Sequence, residues 1–457
     1  MMVQTDKPMP PLPHPEPSPL RAEIGPLVSL SLPMMVGLSA ATLMGVVDTV
    51  MVAPLGTVPL AAVGIASAVV IVFLASLWGI ITITSVRVAQ AHGAGDAGAV
   101  GAELRAGLVL GALGGMVAAV LMVGLLPFLG AIGQPPEVIA AVPLYWGLVA
   151  VTLVPTTVFF VLKGLFDTIG RPWTGVGLGY LGVVLNIPLN QLFIYEAGLG
   201  LSGAGLASLL AQAITLAVAL LVWSRARSLA AFRHKSPGLA ARVRAQWRDG
   251  APLVLGYAGE GGSYALIGVM IGWLGATALA ANQIVHAVAG MAYVFPLGMA
   301  GAASIRVGLA VGAEERARLR PILKAALMIV TGWMLAVMAV LLIGGHAIAN
   351  LLSDDPKVVA LATTLFLAVA AMQVSDGVQS TSLGALRGML DTRQPTLISL
   401  IAYWPIALPA GYVLGFVVEL GAVGVWIGFC LGLSVAAVAL PWRFWRLTRA
   451  VDGPKGH

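Results

Sequence analysis

Charge is scarce in this chain. Asp, Glu, Lys and Arg together make up 10% of its 457 residues, where a soluble globular domain carries roughly 25%. With 59% hydrophobic residues and a mean hydropathy of +0.96, that shortage excludes an ordinary water-soluble fold. Cysteine is nearly missing too, and the single Cys430 rules out an internal disulfide. No "GxxxxGK[ST]" phosphate loop occurs, and no loop is long enough to hold a nucleotide-binding domain. Any transport must therefore run on an ion gradient or be passive. No "HExxH" metal-ligand pair occurs either, which argues against an intramembrane protease.

What is present is apolar sequence in long runs. A membrane-spanning helix needs about 20 apolar residues, and twelve such runs begin near residues 27, 58, 106, 138, 173, 202, 251, 278, 323, 358, 396 and 421. A β-barrel would show short alternating segments instead. The expected fold is an all-α polytopic membrane protein of twelve transmembrane helices. Residues 1–25 are Pro-rich without an apolar stretch, and are expected to form a disordered tail rather than a cleavable signal peptide.

Cations order the topology. With the N-terminus in the cytoplasm and alternate loops assigned to that side, every one of the 25 Lys and Arg except Lys357 falls there. That is the positive-inside pattern of an integral plasma membrane protein with both termini cytoplasmic. The net charge of +6 then reflects topology and contact with anionic membrane lipids, not nucleic-acid binding.

The densest basic stretch, 225–249, divides the chain into repeats. "LGTVPLAAVGI" at 55–65 returns as "LGATALAANQI" at 274–284, and "SVRV" at 85–88 as "SIRV" at 304–307, both shifted by 219 residues. "KGLFDT" at 163–168 returns as "RGMLDT" at 387–392, shifted by 224. Two pseudo-symmetric six-helix bundles are therefore expected, 26–224 and 250–443, joined by a basic cytoplasmic linker and followed by a cytoplasmic tail at 444–457. Such repeats are common in secondary transporters, with binding sites near the midplane between the halves.

Three carboxylates stand out within the apolar runs: Asp48, Glu260 and Asp376. Glu260 lies nine residues into its span, roughly 14 Å deep at 1.5 Å per residue. A charge at such depth costs from about 2.5 to over 10 kcal/mol, and no Lys or Arg is expected within any span to offset it. These groups must be protonated, hydrated in a cavity, or neutralised by a cation that comes and goes; the plainer alternative is a neutral, hydrogen-bonded packing group. Asn186 and Asn190, four apart, share a helix face. Their carbonyls suit a hard cation or a protonated acid, and equally suit ordinary helix-to-helix hydrogen bonding. Tyr293 and Gln283 follow Glu260 on the next span. Trp273 and Trp404 fit an interfacial belt better than a cavity wall.

The stretches "VVDTVMVAPLGTVPLAAVGIA", "LNIPLNQLFIY", "GEGGSYALIGVMIGWLGATALAANQI", "AASIRVG" and "SDGVQSTSLGALRGMLDT" together resemble the multidrug and toxic compound extrusion (MATE) transporters, in their NorM-type bacterial branch. The resemblance covers nearly everything after the Pro-rich tail. It implies two six-helix bundles around a central cavity, and efflux of small organic cations in exchange for Na+ or H+, by a monomer without a cofactor. It also implies ion coupling at Glu260, Asp376 and Tyr293, with Asp48, Asn186 and Asn190 as the polar cluster of the first bundle. Asp48, Gln283, Asp354 and Asp355 become candidates for substrate contact. Glu with Tyr favours Na+ over H+. Departures from the family pattern are Asn282 in place of a histidine, Ala287 in place of an asparagine, and Ser208 in place of a threonine. The nearest rival is a flippase or exporter of lipid-linked or polysaccharide substrates, which predicts buried cations in the cavity. A passive channel would conduct without counter-ion dependence.

Overall fold

The computed structural model describes residues 19–131, 133–234 and 237–449. Among them, twelve helices are long and apolar enough to cross a membrane. The first six are α1 (Pro19–Leu55), α2 (Thr57–Gly93), α3 (Ala97–Phe128), α4 (Pro143–Thr168), α5 (Pro172–Glu196) and α6 (Gly200–Arg225). The second six are α7 (Leu239–Gly272), α8 (Ala276–Gly312), α9 (Arg316–Leu352), α10 (Pro356–Gly388), α11 (Arg393–Val417) and α12 (Gly421–Arg449). They form two lobes of six helices each.

The repeat extends to the turns. Gly56 and Gly275 are 219 residues apart and adopt φ of 113° and 103°, a region in which a side chain is strained. They break α1 from α2 and α7 from α8 at equivalent points. Within α5 and α11 the helix widens into π turns at Gln191–Glu196, Ala402–Ala407 and Val413–Val417. Each contains or follows a proline (Pro188, Pro405, Pro409), which cannot donate the backbone hydrogen bond of a regular turn. Helix α4 packs on α2, α3, α5 and α6, and its repeat mate α10 packs on α8, α9 and α12. These two are the central staves of their lobes.

The lobes are interlaced at the end that carries the basic loops. There α1 lies along α8 and α9, while α7 lies along α2 and α3. Each lobe thus lends its first helix to the other. On the axis between them α2 and α8 touch backbone to backbone. A Cβ on Gly93 would stand 2.1 Å from the Leu309 carbonyl oxygen, and one on its repeat mate Gly312 would stand 1.9 Å from that of Gln90. Ion pairs flank this crossing on both sides. Glu23, 2% exposed, accepts from Arg306 at 2.6 Å and from Arg318 at 2.7 Å. Arg87, the repeat mate of Arg306, pairs with Asp249, and Arg242 donates to Glu103 at 2.5 Å. Gln246 fills the space between, donating to Glu103 at 2.8 Å and accepting from Thr84 at 2.9 Å. A further bond links the lobes from Gln90 Nε2 to the Gly388 carbonyl at 2.9 Å.

These contacts correct three boundaries. Residues 19–25, expected in the disordered tail, are the first turns of α1, fastened through Glu23; residues 1–18 lie outside the described residues. Residues 239–249 of the expected linker are the first turns of α7, held by Arg242, Gln246 and Asp249. Phe444–Arg449, expected in the C-terminal tail, extend α12, with Phe444 fully buried. Hydropathy ends a helix where the membrane ends; ion pairing and side-chain burial carry these three beyond it.

Candidate functional site

A cavity of 370 Å³ lies between the lobes, walled by α1, α2, α4, α7, α8 and α10. Its floor, toward the basic end, keeps the repeat symmetry. Ser85 and Ser304 face it from α2 and α8, and Lys163 and Arg387 from α4 and α10. The two serines also sit where Gly164 and Gly388 leave room, since a Cβ on either glycine would meet Ser85 Oγ at 2.1 Å or the Ser304 carbonyl oxygen at 2.6 Å.

The upper wall is not symmetric. It carries Glu260 with Tyr257 and Tyr264 on α7, and Tyr293 on α8. The glycines around Glu260 divide the work. Gly259 and Gly262 let α11 approach, with Leu400 and Trp404 where their Cβ atoms would be, while Gly261 faces open space in the cavity. Trp404 donates its Nε1 proton to the Gly259 carbonyl at 3.1 Å, which fixes the α7–α11 contact beside Glu260. Trp404 thus supports the site, beyond the interfacial role expected of it. Trp273, 64% exposed, remains on the outside.

Neither Glu260 nor Asp376 has a hydrogen-bond partner for its carboxylate among the described residues. Asp376 is 4% exposed in the middle of α10. One turn to either side, Gln373 Nε2 and Gln379 Oε1 are buried and unpartnered as well, although Gln379 Nε2 donates to the Tyr403 hydroxyl at 2.8 Å. Glu260 and Asp376 are within electrostatic reach of each other and of Tyr264, Tyr293 and Tyr403. Three of the expected residues, Glu260, Asp376 and Tyr293, are therefore brought together. Buried polar atoms without partners are rare in folded proteins, and two of them flank Asp376.

In the first lobe Asp48, Asn186 and Asn190 are also assembled, as a hydrogen-bonded network that leaves the buried Asn190 Oδ1 without a partner. Asp48 accepts from Asn190 at 2.9 Å and from Ser208 at 2.6 Å. Asn190 also donates to Asn186 Oδ1 at 2.9 Å, and Asn186 donates to Ser208 at 3.1 Å. The substitution of Ser208 for threonine keeps the hydroxyl that the network needs. Asn282, in place of the usual histidine, accepts from Trp426 at 3.0 Å and serves packing. Ala287 is exposed. None of the first-lobe cluster lines the cavity.

Gln283, Asp354 and Asp355 stand apart from both groups. All three are exposed and outside the cavity wall. Asp355 caps α10, accepting from the Lys357 amide at 2.8 Å.

The expectation that no cation lies within a span is overturned. Lys163 and Arg387 are 6% and 9% exposed inside α4 and α10, because both helices run past the apolar stretch and turn these side chains inward. Lys163 Nζ donates to Asp167 at 2.8 Å, so Asp167 is a buried carboxylate near the end of α4 that the sequence reading passed over. The spacing of Lys163 and Asp167, one helical turn, was the available signal.

A family model described as MatE matches residues 33–192 and 252–413, one copy in each half of the chain. This chain belongs to the MatE family. It is 34% identical over 441 residues to the probable multidrug resistance protein NorM of Deinococcus radiodurans, covering 94% of this chain and 96% of that one. It is 31% identical over 449 residues to the multidrug resistance protein PmpM of Pseudomonas aeruginosa, covering 94% and 93%. The crystal structure of the Vibrio cholerae MATE transporter VcmN in the bent form superposes with a TM-score of 0.86 at 21% identity, over 95% of this chain and 99% of that one. As a MatE family member the chain is an integral membrane transporter, not an enzyme.

Proposed function

We propose that this MatE protein is an antiporter that exports lipophilic organic cations across the bacterial inner membrane in exchange for Na+ or H+, by alternating access. The observation that carries the reading is the pair Glu260 and Asp376. Neither carboxylate has a hydrogen-bond partner among the described residues; Glu260 lines the cavity beside Tyr257, Tyr264 and Tyr293, while Asp376, off the cavity wall, is flanked by the orphaned amide atoms of Gln373 and Gln379. A mobile cation relieves that arrangement at low cost, whereas permanent ionisation there is expensive. The tyrosine hydroxyls and Gln379 Oε1 offer the neutral oxygens that a hard ion takes, which favours Na+. The multidrug resistance names of relatives above 30% identity agree with an apolar, aromatic cavity for varied cargo. A cationic drug over Tyr257, Tyr293 or Trp78 would gain about 0.5–2 kcal/mol per ring.

By the positive-inside rule the basic end is cytoplasmic, with both termini there. The crossing of α2 and α8 then closes the cavity to the cytoplasm. An ion shifts the access equilibrium only by its difference in affinity between the two states, so breaking and remaking this seal must alter the surroundings of Glu260 and Asp376.

Lys163 and Arg387 lend a specific observation to the rival reading, export of anionic lipid-linked substrates. Its weight is small, because Lys163 is already neutralised by Asp167 at 2.8 Å and Arg387 shares the cavity with Glu260. Proteoliposomes under imposed Na+ or H+ gradients, with an ethidium-like dye as cargo, test the antiport reading. Gradient-driven dye movement should be lost in Glu260→Gln, and its persistence at the wild-type rate refutes the assignment.

A further inference from the structure

The repeat mates Lys163–Asp167 and Arg387–Asp391 behave differently. In the first half the cation pairs with the acid one turn on. In the second half that pair is not made. Asp391 is taken by Arg443, whose Nε and Nη2 donate to it at 2.5 and 3.0 Å. Arg387 instead donates from Nη1 to the Tyr257 hydroxyl at 2.7 Å, and its guanidinium carbon lies 4.7 Å from the Tyr257 ring centre. Its Nε is buried with no partner. Tyr257 precedes Glu260 by one turn on the same face of α7, roughly 4.5 Å along the axis, and all three residues border the cavity. Among the described residues, Arg387 is thus a cavity cation without a carboxylate of its own, beside a cavity carboxylate without a cation.

We propose that Arg387 is a tethered counter-ion for Glu260. When no coupling ion is bound its guanidinium neutralises Glu260 across the cavity, and an arriving ion or cationic cargo must displace it back onto Tyr257. Arg443 keeps Arg387 available by occupying Asp391, which would otherwise recapture it as Asp167 captures Lys163. Arg387 is a positioning residue in this scheme: it sets how tightly the mobile cation is held, and the empty site is not left with an uncompensated charge. The inference rests on the antiport reading of Glu260 given above.

The experiment measures the cation concentration for half-maximal dye efflux in proteoliposomes. A neighbouring opposite charge commonly alters a carboxylate's affinity for a proton by roughly 10- to 1,000-fold, so Arg387→Gln should lower the half-saturating cation concentration at least about tenfold. Arg387→Lys should stay near wild type. Arg443→Gln should move half-saturation in the same direction as Arg387→Gln, because Asp391 then takes Arg387, and adding Asp391→Asn should restore it. A purely structural role for Arg443 would not produce that rescue. Should Arg387→Gln fail to fold, the Arg443→Gln series with its rescue decides the matter alone. A wild type that couples to the gradient while both series leave half-saturation unmoved overturns this inference only. Efflux by the wild type that ignores both gradients overturns the antiport reading and this inference with it.

Discussion

Glu23 offers the sharpest test of the seal at the basic end. Its carboxylate is 2% exposed and accepts from Arg306 at 2.6 Å and from Arg318 at 2.8 and 2.7 Å. Removing one partner of a fully buried ion pair costs roughly 3–5 kcal/mol. Here the side chains of Arg306 and Arg318 are 19% and 42% exposed, and water compensates for part of the loss, so Glu23→Gln should cost about 1–3 kcal/mol. The bonds join α1 to α8 and α9 across the lobes, so the loss falls on the sealed state. A destabilisation of that size shifts a two-state equilibrium about 5- to 150-fold. The readout is a cysteine at Ser304 on the cavity floor, in a background where the one native cysteine is removed by Cys430→Ser. Labelling by a membrane-impermeant maleimide, applied to inverted vesicles, should speed up by that factor in Glu23→Gln. An unchanged labelling rate in a variant with wild-type thermal stability refutes the view that Glu23 holds the seal.

Other outcomes follow from the same geometry. Gly312→Leu puts a side chain where a Cβ already lies 1.9 Å from the Gln90 carbonyl; dye efflux should fall to background with expression retained, and normal efflux would contradict a tight crossing. Ser208→Ala removes a 2.6 Å donor to Asp48 and should cost about 1 kcal/mol, read as a drop in unfolding temperature in detergent that Ser208→Thr does not share. Asp167→Asn strands the buried Lys163 ammonium and should lower thermal stability by several kcal/mol, roughly 3–5 in a fully buried setting. Adding Lys163→Met should recover most of that, and a double variant no better than the single would argue against the pair.

The helices themselves were legible because the membrane imposes one rule, a run of about 20 apolar residues, that a single sequence displays directly. Asn186 and Asn190 were legible for the same kind of reason: helical spacing predicts a shared face, and they are hydrogen-bonded to each other at 2.9 Å. Glu260 and Asp376 announced themselves as charges in apolar surroundings. What escaped the sequence was long-range pairing. Nothing local tells that Asp391 binds Arg443, 52 residues on, or that Glu23 in a Pro-rich stretch meets Arg306, 283 residues away. Lys163 and Arg387 escaped because hydropathy windows treat a cation near a helix end as loop, although its long side chain can turn inward. Gln283 shows the opposite error: a polar residue two positions from the buried Val285 faces outward on α8, since only one face of a helix meets a given neighbour.

The crossing of α2 and α8 at Gly93 and Gly312 has one more implication. Each copy of the duplicated unit presents the same glycine to the other, which is the self-complementary contact of a two-fold homodimer. In a joint of that kind a single substitution alters both faces at once, so fit is hard to lose by halves. Fusion into one chain lifts the restriction, and the two members can then drift apart. The Lys163 and Arg387 positions have done so and taken different partners, while the two glycines of the crossing, where neither side has room for a methyl group, have stayed the same.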